Sequence, residues 1–219
     1  MNNLYKVINN LGLGKAYNYV MTNNQGNKNP YHNNFHLESV ANTALEGCLY
    51  YSKCNTDIFK LPILDSEAIK LVLLAALFHD FNHTGSGKDD RLNISIAKDG
   101  FYNFLLTEPD MIETWKVHII YDLIDATCYP YTIENKDLNL LQKIIRDADI
   151  LQGMLCQNYI HGVVGALAQE MNLTFKAMIE GQESFLRNSI FATDWANDLK
   201  AKILPDVVEK VNIIKSFNI

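Results

Sequence analysis

Two histidine pairs with the same spacing occur in a chain that contains only 6 histidines. His32 and His36 lie in YHNNFH, and His79 and His83 lie in FHDFNH, where Asp80 follows the first histidine. Residues four apart on an α-helix share one face, about one turn apart. Each pair is therefore either a set of metal ligands or a solvated polar face. The recurrence of the spacing favours the metal interpretation.

The residues before the second pair strengthen that interpretation. LVLLAALF at 71–78 is apolar throughout, which predicts a buried helix that carries His79 and Asp80 directly out of the core. A buried imidazole and a buried carboxylate need partners to offset their desolvation, and a divalent cation is one such partner. The alternative is a neutral His79 bonded to a backbone carbonyl, with Asp80 capping a neighbouring helix.

A mixed histidine and carboxylate site needs three or four protein ligands. The segment IIRDADIL offers Asp147 and Asp149 in an otherwise apolar helix. Two residues apart, they do not share a helical face. We predict that Asp149, flanked by Ile150 and Leu151, points inward as the fourth ligand, and that an ion pair involving Arg146 accounts for Asp147.

Apolar residues recur at three and four residues along almost the whole chain, which predicts an all-α fold, a compact helical bundle. The predicted helices span 3–21, 31–52, 66–81, 91–105, 109–126, 136–154, 157–171, 174–191 and 195–215. Loops are predicted at 22–30 and at the Gly-Ser-Gly stretch 84–90. Helix starts are expected at Ser66, Thr107, Asn135 and Asp194.

The length of 219 residues predicts a single domain over 1–219. A net charge of -6, with no dense Lys/Arg run, argues against binding a nucleic acid polymer. The N-terminus has no signal-peptide pattern and the longest apolar run is too short to cross a bilayer, so we expect a cytoplasmic protein with no membrane partner. The 4 cysteines, which lack CxxC spacing, are expected to be free thiols.

The candidate ligands also carry a family resemblance. His36, the His79–Asp80 dyad and Asp149 match the H…HD…D pattern of the HD superfamily of metal-dependent phosphohydrolases. Within it, YHNNFH resembles the Y-H-N-x-x-H signature, and HDFNHTG the H-D-x-x-H-x-G signature, of the 3',5'-cyclic nucleotide phosphodiesterases. IDATCYP at 124–130 and GQESFLRNSIFATDW at 181–195 are similar to two further segments of those enzymes, so the likeness covers about three quarters of the chain.

The resemblance implies an HD-type fold and two divalent metal ions, which could be Mg, Mn, Zn or Fe. It implies that His32 donates a proton to the leaving oxygen and that His83 orients water beside the metal. Gln182 would hydrogen-bond a purine edge, Phe185 would stack on its face, and Tyr31 would complete the substrate-binding residues. By their own spacing, His118 shares a helical face with acidic residues, which suggests a solvated surface, and His161 has no acidic or histidine neighbour at helical spacing, so neither is assigned a role.

Three features depart from the family pattern. The chain is shorter than the animal catalytic domains of the family, so helices around the substrate pocket must be trimmed or missing. The glutamate that follows the HD motif in the family aligns near Lys98, and Cys128 stands where the family usually has an aspartate.

These observations predict a metal-dependent phosphodiesterase that hydrolyses a cyclic nucleotide, a small-molecule substrate, to a 5'-phosphate product. One alternative is an HD-type phosphohydrolase acting on nucleoside monophosphates. Another is a catalytically weak nucleotide-binding module, and a third is a helical interaction protein without a site. The base, the metals and the oligomeric state are left open by the sequence.

Overall fold

The computed structural model describes residues 2–53, 64–85 and 90–217. Over these ranges the chain is helical, as predicted, and contains no strand. The α-helices are α1 (Asn2–Asn10), α2 (Gly14–Asn23), α3 (Asn34–Lys53), α4 (Ser66–Phe78), α5 (Asp90–Thr107), α6 (Val117–Asp125), α7 (Leu140–Leu155), α8 (Ala166–Glu170), α9 (Phe175–Asn188) and α10 (Asp194–Ser216). Short 3-10 turns lie at Gln25–Lys28, Thr114–Lys116 and Asn135–Asp137, and a π-helical segment spans Tyr159–Gly165.

Helix α4 lies at the centre of the bundle. Every residue from Leu71 to Phe78 is buried, because α3, α6 and α7 pack against different sides of this helix. Helix α10 packs against α7 and α9 on the far side of α7. A helix that is apolar all round is stable only when it is enclosed in this way, so the residues that end α4 must emerge inside the protein.

An aromatic cluster holds the end of α4 in place. Phe78, Phe101 and Phe104 pack together with ring centroids 5.1 to 6.4 Å apart, and Phe81 lies 5.5 Å from Phe78. Gly100 on α5 faces the ring of Phe81 so closely that a Cβ atom there would overlap it. The turn that follows α4 is therefore packed tightly against α5.

Two helix boundaries differ from the sequence-based expectation for a clear backbone reason. The predicted helix 3–21 is two helices, because Gly12 adopts a positive φ of 71° and ends α1. The predicted helix 66–81 ends at Phe78, and the chain turns at 79–82, where Asn82 has φ 62°. Asparagine tolerates this left-handed conformation better than most residues.

The four predicted helix-start residues were wrong, three of them by one to four positions and Thr107 by nine. Asp65, rather than Ser66, caps α4 by accepting the N–H of Ala68, and Thr193, rather than Asp194, caps α10. Helix α7 begins after Asn139, which forms a capping box with Gln142, so Asn135 only starts a 3-10 turn. Thr107 ends α5, and α6 does not begin until Val117. Neighbouring polar residues compete for each cap, and packing selects among them.

Several other expectations are decided only in part. Cys48, Cys128 and Cys156 are free thiols, as predicted, whereas Cys54 and most of the predicted 84–90 loop lie outside the described residues. In the portions of the chain that the structure describes, no helix combines the length and apolar character needed to span a bilayer. The single-domain organisation, the HD-type topology and the cytoplasmic location stay predictions.

Candidate active site

The ligand atoms of His36, His79, Asp80 and Asp149 meet at one point, and all lie within 4.8 Å of one another. His36 begins α3, His79 and Asp80 follow the end of α4, and Asp149 comes from the middle of α7. The Nε2 atoms of the two histidines are 3.2 Å apart. Asp80 Oδ2 lies 3.1 Å from His36 Nε2, and Asp149 Oδ1 lies 3.5 Å from His79 Nε2. We call these four residues the metal cluster.

The spacing within the metal cluster fits a single divalent ion. Ligands about 2.1 Å from an ion are separated by about 3.0 Å in octahedral and about 3.4 Å in tetrahedral geometry. The separations quoted above lie close to these values. His79 Nδ1 lies 2.9 Å from the carbonyl oxygen of Ala76, to which it can donate, so its Nε2 keeps a lone pair for the ion. His79 can therefore donate to a backbone carbonyl through one ring nitrogen and bind a metal ion through the other.

The electrostatics of the metal cluster favour positive charge at its centre. Burial raises the pKa of Asp149, but hydrogen bonds from His36 and His79 outweigh this and lower it to about 2. Burial likewise lowers the pKa of His79, but the charge of Asp80 and the bonds to Asp149 raise it well above its usual value. The charge of Asp80 and the bonds to Asp149 thus favour a proton on His79, and a bound divalent cation displaces such a proton.

The side chain of Gln152 supports His36 from behind. Its amide group lies 3.1 Å from His36 Nδ1 and 2.7 Å from the hydroxyl of Tyr31. The amide nitrogen faces both groups and donates to the Tyr31 hydroxyl, so Gln152 holds the ring of His36 in place. Gln152 was not predicted, although it follows Asp149 by three residues and so shares its helical face.

A second cluster, which we call the proton cluster, consists of His32, His83 and Glu170. His32 Nδ1 makes a short hydrogen bond with Glu170 Oε1, and Glu170 Oε2 accepts the backbone N–H groups of Tyr31 and His32. The rings of His32 and His83 are stacked, with centroids 3.9 Å apart. The nitrogen lone pairs of two stacked rings lie in separate planes and do not converge on one point. This geometry therefore suits holding a proton better than binding one ion through both rings.

Protonation within the proton cluster is unequal. Burial lowers the pKa of His32, but its hydrogen bond to Glu170 and the charge of Asp80 outweigh this and raise it above the usual value. Burial raises the pKa of Glu170, but its bonds with His32 lower it to about 2. Burial lowers the pKa of His83 to about 4. A proton is therefore held more strongly by His32 than by His83, and Glu170 is ionised at neutral pH.

Glu170 was missed by the sequence analysis because no local signal marks it. It ends the short helix α8, more than 130 residues after His32, and a charged residue at a helix end is ordinarily solvated. In the structure Glu170 is buried, because the π-helical segment and α8 carry it back across the site. Only the tertiary fold reveals this partner.

Asparagines join the two histidine segments. Asn29 donates to the carbonyl oxygens of His83 (2.7 Å) and His32 (3.3 Å), and Asn24 accepts the backbone N–H of Asn82. The side chain of Asn82 in turn accepts the N–H of Gln25. The predicted 22–30 loop is therefore a hydrogen-bonded brace that fixes His32 relative to the turn after α4.

The expectation that only one carboxylate of the DAD segment points inward was wrong. Asp147 is 1% exposed and accepts the N–H groups of Ala192 and Thr193 and the Thr193 hydroxyl. Arg146 donates to the carbonyl oxygens of Ala126 and Ile133. Asp147 thus anchors the start of α10 and does not form the expected ion pair. Both aspartates can point inward because other helices cover α7 on two sides.

A cavity of about 330 Å³ opens beside both clusters, and we call it the inner cavity. His32, Asp80, His83 and Asp149 line one end, and apolar side chains such as Met154 and Leu167 line the other. The predicted binding residues Tyr31, Gln182 and Phe185 also line it. Its volume lies at the lower end of the range of about 300–1,000 Å³ typical of small-molecule sites.

The amide of Gln182 is held in position by two hydrogen bonds. Gln182 is buried, its Oε1 accepts the hydroxyl proton of Tyr159, and its Nε2 donates to the carbonyl oxygen of Met178. Tyr159 begins the π-helical segment, a form of helix that is common at functional sites. One N–H of the Gln182 amide is left over, because that nitrogen carries two hydrogens.

Lys98, at the aligned position of the family glutamate, is engaged away from the site. It forms an ion pair with Asp125 and lies over the ring of Tyr121. Asp90, at the start of α5, lines the inner cavity and accepts the N–H of Tyr129. His118 is exposed, as predicted, and His161 is exposed as well.

Comparison with known proteins supports a restricted relationship. Over 59 residues, the chain is 44% identical to the dual specificity calcium/calmodulin-dependent 3',5'-cyclic nucleotide phosphodiesterase 1 of Drosophila melanogaster. The matched segment makes up 27% of this chain and 6% of that protein. No family model matches the chain. It is thus a partial relative of a cyclic nucleotide phosphodiesterase, with a buried His/Asp cluster able to hold a metal ion.

Proposed function

We propose that this protein is a metal-dependent phosphodiesterase that hydrolyses a 3',5'-cyclic nucleotide to a 5'-phosphate product. The observation that carries the proposal is the juxtaposition of the two clusters. Asp80 belongs to the metal cluster, and its Oδ2 lies 3.9 Å from Nε2 of His32 in the proton cluster. Ligands for an ion and a protonated imidazole therefore border the same cavity. The partial match to a cyclic nucleotide phosphodiesterase supports the same reaction.

His36, His79, Asp80 and Asp149 would hold one divalent ion, and a second would bind mainly through Asp80. When bound, such ions lower the pKa of water and neutralise the charge of a phosphate group. This explains how a protein of net charge -6 could bind an anionic substrate. Gln152 and the carbonyl of Ala76 keep the two imidazoles in the orientation that ligation requires.

His32 supplies the proton that the leaving 3' oxygen takes up, and the proton that water gives up restores the acid. Hydrolysis forms a bond from the water oxygen to phosphorus and breaks the bond from phosphorus to the 3' oxygen, which leaves poorly without a proton. Glu170 raises the pKa of His32, which favours the protonated imidazole, and fixes the ring by its bond to Nδ1, so Nε2 faces Asp80 and the cavity. His83, neutral and stacked on His32, limits the freedom of that ring and is placed to orient water.

The nucleoside part of the substrate would occupy the apolar end of the inner cavity. Phe185 would stack on the base, and the remaining N–H of Gln182 would donate to an acceptor on the base edge. Tyr31 supports this end through its bond with Gln152. The hydroxyl of Tyr159 can donate or accept a hydrogen bond, so it is compatible with either orientation of the Gln182 amide. The contacts of Gln182 therefore do not assign the base.

Metal analysis with a nucleotide screen tests the proposal. The purified protein should carry about two divalent ions per chain, and cyclic mononucleotides or dinucleotides should yield products with a 5'-phosphate. Release of inorganic phosphate from nucleoside monophosphates instead would favour the phosphomonoester alternative. Nucleotide binding without any product would favour the binding-module alternative.

The role of Gln182 has its own test. Gln182→Ala should reduce discrimination between bases more than it reduces the rate on a minimal phosphodiester, because the amide contacts only the base. Gln157→Ala, at an exposed glutamine outside the cavity lining, is the matched control. Equal losses of Gln182→Ala on both substrates would refute the assignment of this residue to base recognition.

A further inference from the structure

A second cavity, of about 520 Å³, lies next to the inner cavity, and we call it the outer cavity. Tyr129, Ile150 and Phe185 line both cavities, so the two share one wall. The outer cavity is bordered by α7, the C-terminal half of α9, the 129–135 segment and the 189–191 segment. None of the three shared residues belongs to the metal cluster or the proton cluster.

The walls of the outer cavity are suited to flat, uncharged groups. Tyr129 is 50% exposed and Phe185 is 37% exposed, so both rings have free surface although they border cavities. Tyr131 packs edge to face against Tyr129, with ring centroids 5.3 Å apart. Ser184 and Asn188, exposed on α9, add uncharged polar groups at the rim. Aromatic faces with hydroxyl and amide groups nearby are the surfaces on which nucleobases stack.

The charged groups of this lining are already engaged. Among the described residues they are Glu134, Arg146 and Asp147, two acids and one base. Arg146 donates to two carbonyl groups, and its guanidinium group lies 4.2 Å from the centre of the Tyr131 ring. Asp147 accepts bonds from the start of α10, and Glu134 pairs with Lys136. The lining thus offers a poor site for a second phosphate, whereas an uncharged base would meet no unfavourable charge.

We propose that the outer cavity is a subsite for a second nucleobase, so that the substrate class is a dinucleotide joined by a 3',5' phosphodiester. This inference rests on the proposed function. One base would lie in the inner cavity, the second would lie in the outer cavity, and Phe185 would stand between them. The reaction is unchanged: water adds to phosphorus, the bond to the 3' oxygen breaks, and that oxygen leaves with the proton from His32.

Blocking the outer cavity tests the subsite. Ser184→Trp places a large ring in the outer cavity from a residue that does not itself line the inner cavity. Ser95→Trp, at an exposed serine of α5, is the matched control. Stacking of one base contributes on the order of ten- to a hundredfold in affinity, so kcat/KM for a cyclic dinucleotide should exceed that for the cyclic mononucleotide with the same base by about tenfold or more. Ser184→Trp should abolish this preference and leave the mononucleotide unchanged, and Ser95→Trp should affect neither substrate.

Asn188→Trp repeats the block from the next turn of α9 and guards against misfolding of the first variant. The corresponding linear dinucleotide is assayed as a second substrate, which shows whether the subsite prefers cyclic or linear dinucleotides. Hydrolysis of mononucleotides without a dinucleotide preference, or equal effects of Ser184→Trp on both, would overturn the subsite while leaving the proposed function intact.

A binding measurement distinguishes failure of the proposed subsite from failure of the proposed function. His32→Ala is expected to keep bound nucleotides intact, so calorimetry on this variant, alone and combined with Ser184→Trp, reports affinity without turnover. A dinucleotide preference that disappears in the double variant supports the subsite even when the wild-type protein hydrolyses neither nucleotide. Equal affinities for both nucleotides would refute it.

Discussion

The metal cluster and the proton cluster are built from the same sequence spacing, yet the structure separates their members. Each pair of histidines four residues apart contributes one residue to each cluster: His36 and His79 to the first, His32 and His83 to the second. Neither pair lies wholly on a helix. His32 precedes α3, and His79 and His83 flank the turn that follows α4.

Surroundings, rather than residue type, make the clusters different. The imidazoles of the metal cluster face two carboxylates at 3.1 to 3.5 Å and have hydrogen-bonding groups behind them. The imidazoles of the proton cluster stack on each other beside Glu170, and Asp80 lies farther away, 3.9 Å from His32. Two acids in close contact attract a divalent cation, whereas one close acid and two stacked rings retain a proton.

The largest difference should come from replacing the two histidines of FHDFNH separately. His79→Ala should lose the bound ion and lower kcat by more than about a thousandfold, since water is no longer acidified. His83→Ala should keep the ion, because it is not part of the metal cluster. Mass spectrometry of the metal content, with steady-state kinetics, makes this comparison. Equal loss of metal in both variants would contradict the division into two clusters.

The corresponding comparison within YHNNFH concerns His32. His32→Ala should lower kcat by about a hundredfold to ten thousandfold, the usual contribution of a general acid, while the metal content is nearly unchanged. A substrate whose leaving group needs no proton should be hydrolysed almost as fast by this variant as by the wild type. If His32→Ala releases the ion instead, His32 is a ligand and the proposed acid is misassigned.

A substitution of Gln152 tests how strongly the metal cluster depends on the group that supports His36, because the four candidate ligands themselves are unchanged. Gln152→Leu should weaken metal affinity by about ten- to a hundredfold, the usual effect of removing a group that orients a ligand. Titration calorimetry with a divalent ion measures this without turnover. Tyr31→Phe, which removes only the hydroxyl that shares the Gln152 amide, should have a smaller effect in the same direction. Unchanged affinity in Gln152→Leu would show that His36 needs no such support.

The smallest effect should be a shift in pH dependence caused by Glu170. The pKa of His32 is raised because Glu170 accepts its proton, so the protonated acid persists above the ordinary histidine range and is lost as the pH rises further. Glu170→Gln removes the charge that raises this pKa. The alkaline limb of kcat/KM should therefore move to lower pH, while the rate at low pH changes little. A profile that only scales down, with no shift, would indicate a purely structural role for Glu170.

The sequence was sufficient for the features that depend on local pattern or on residue type. The helical period predicted the all-α fold, and the apolar run 71–78 predicted the buried helix that delivers His79 and Asp80. The inward position of Asp149 followed from its apolar neighbours. These inferences succeeded because burial of apolar surface dominates folding and leaves a periodic trace in the chain.

The features that required the tertiary structure depend on residues distant in the chain or on competition between neighbours. Glu170 meets His32, and Asp147 meets Thr193, only because packing brings separate helices together. The break at Gly12 and the cap at Asp65 were settled by backbone conformation and by packing among several plausible residues.

The sequence by itself determined which side chains were available for chemistry and that helices would carry them. Only the tertiary structure decided which histidines would lie between Asp80 and Asp149 and which would lie beside Glu170, because a side chain's charge state and ligands depend on neighbours that local spacing does not specify.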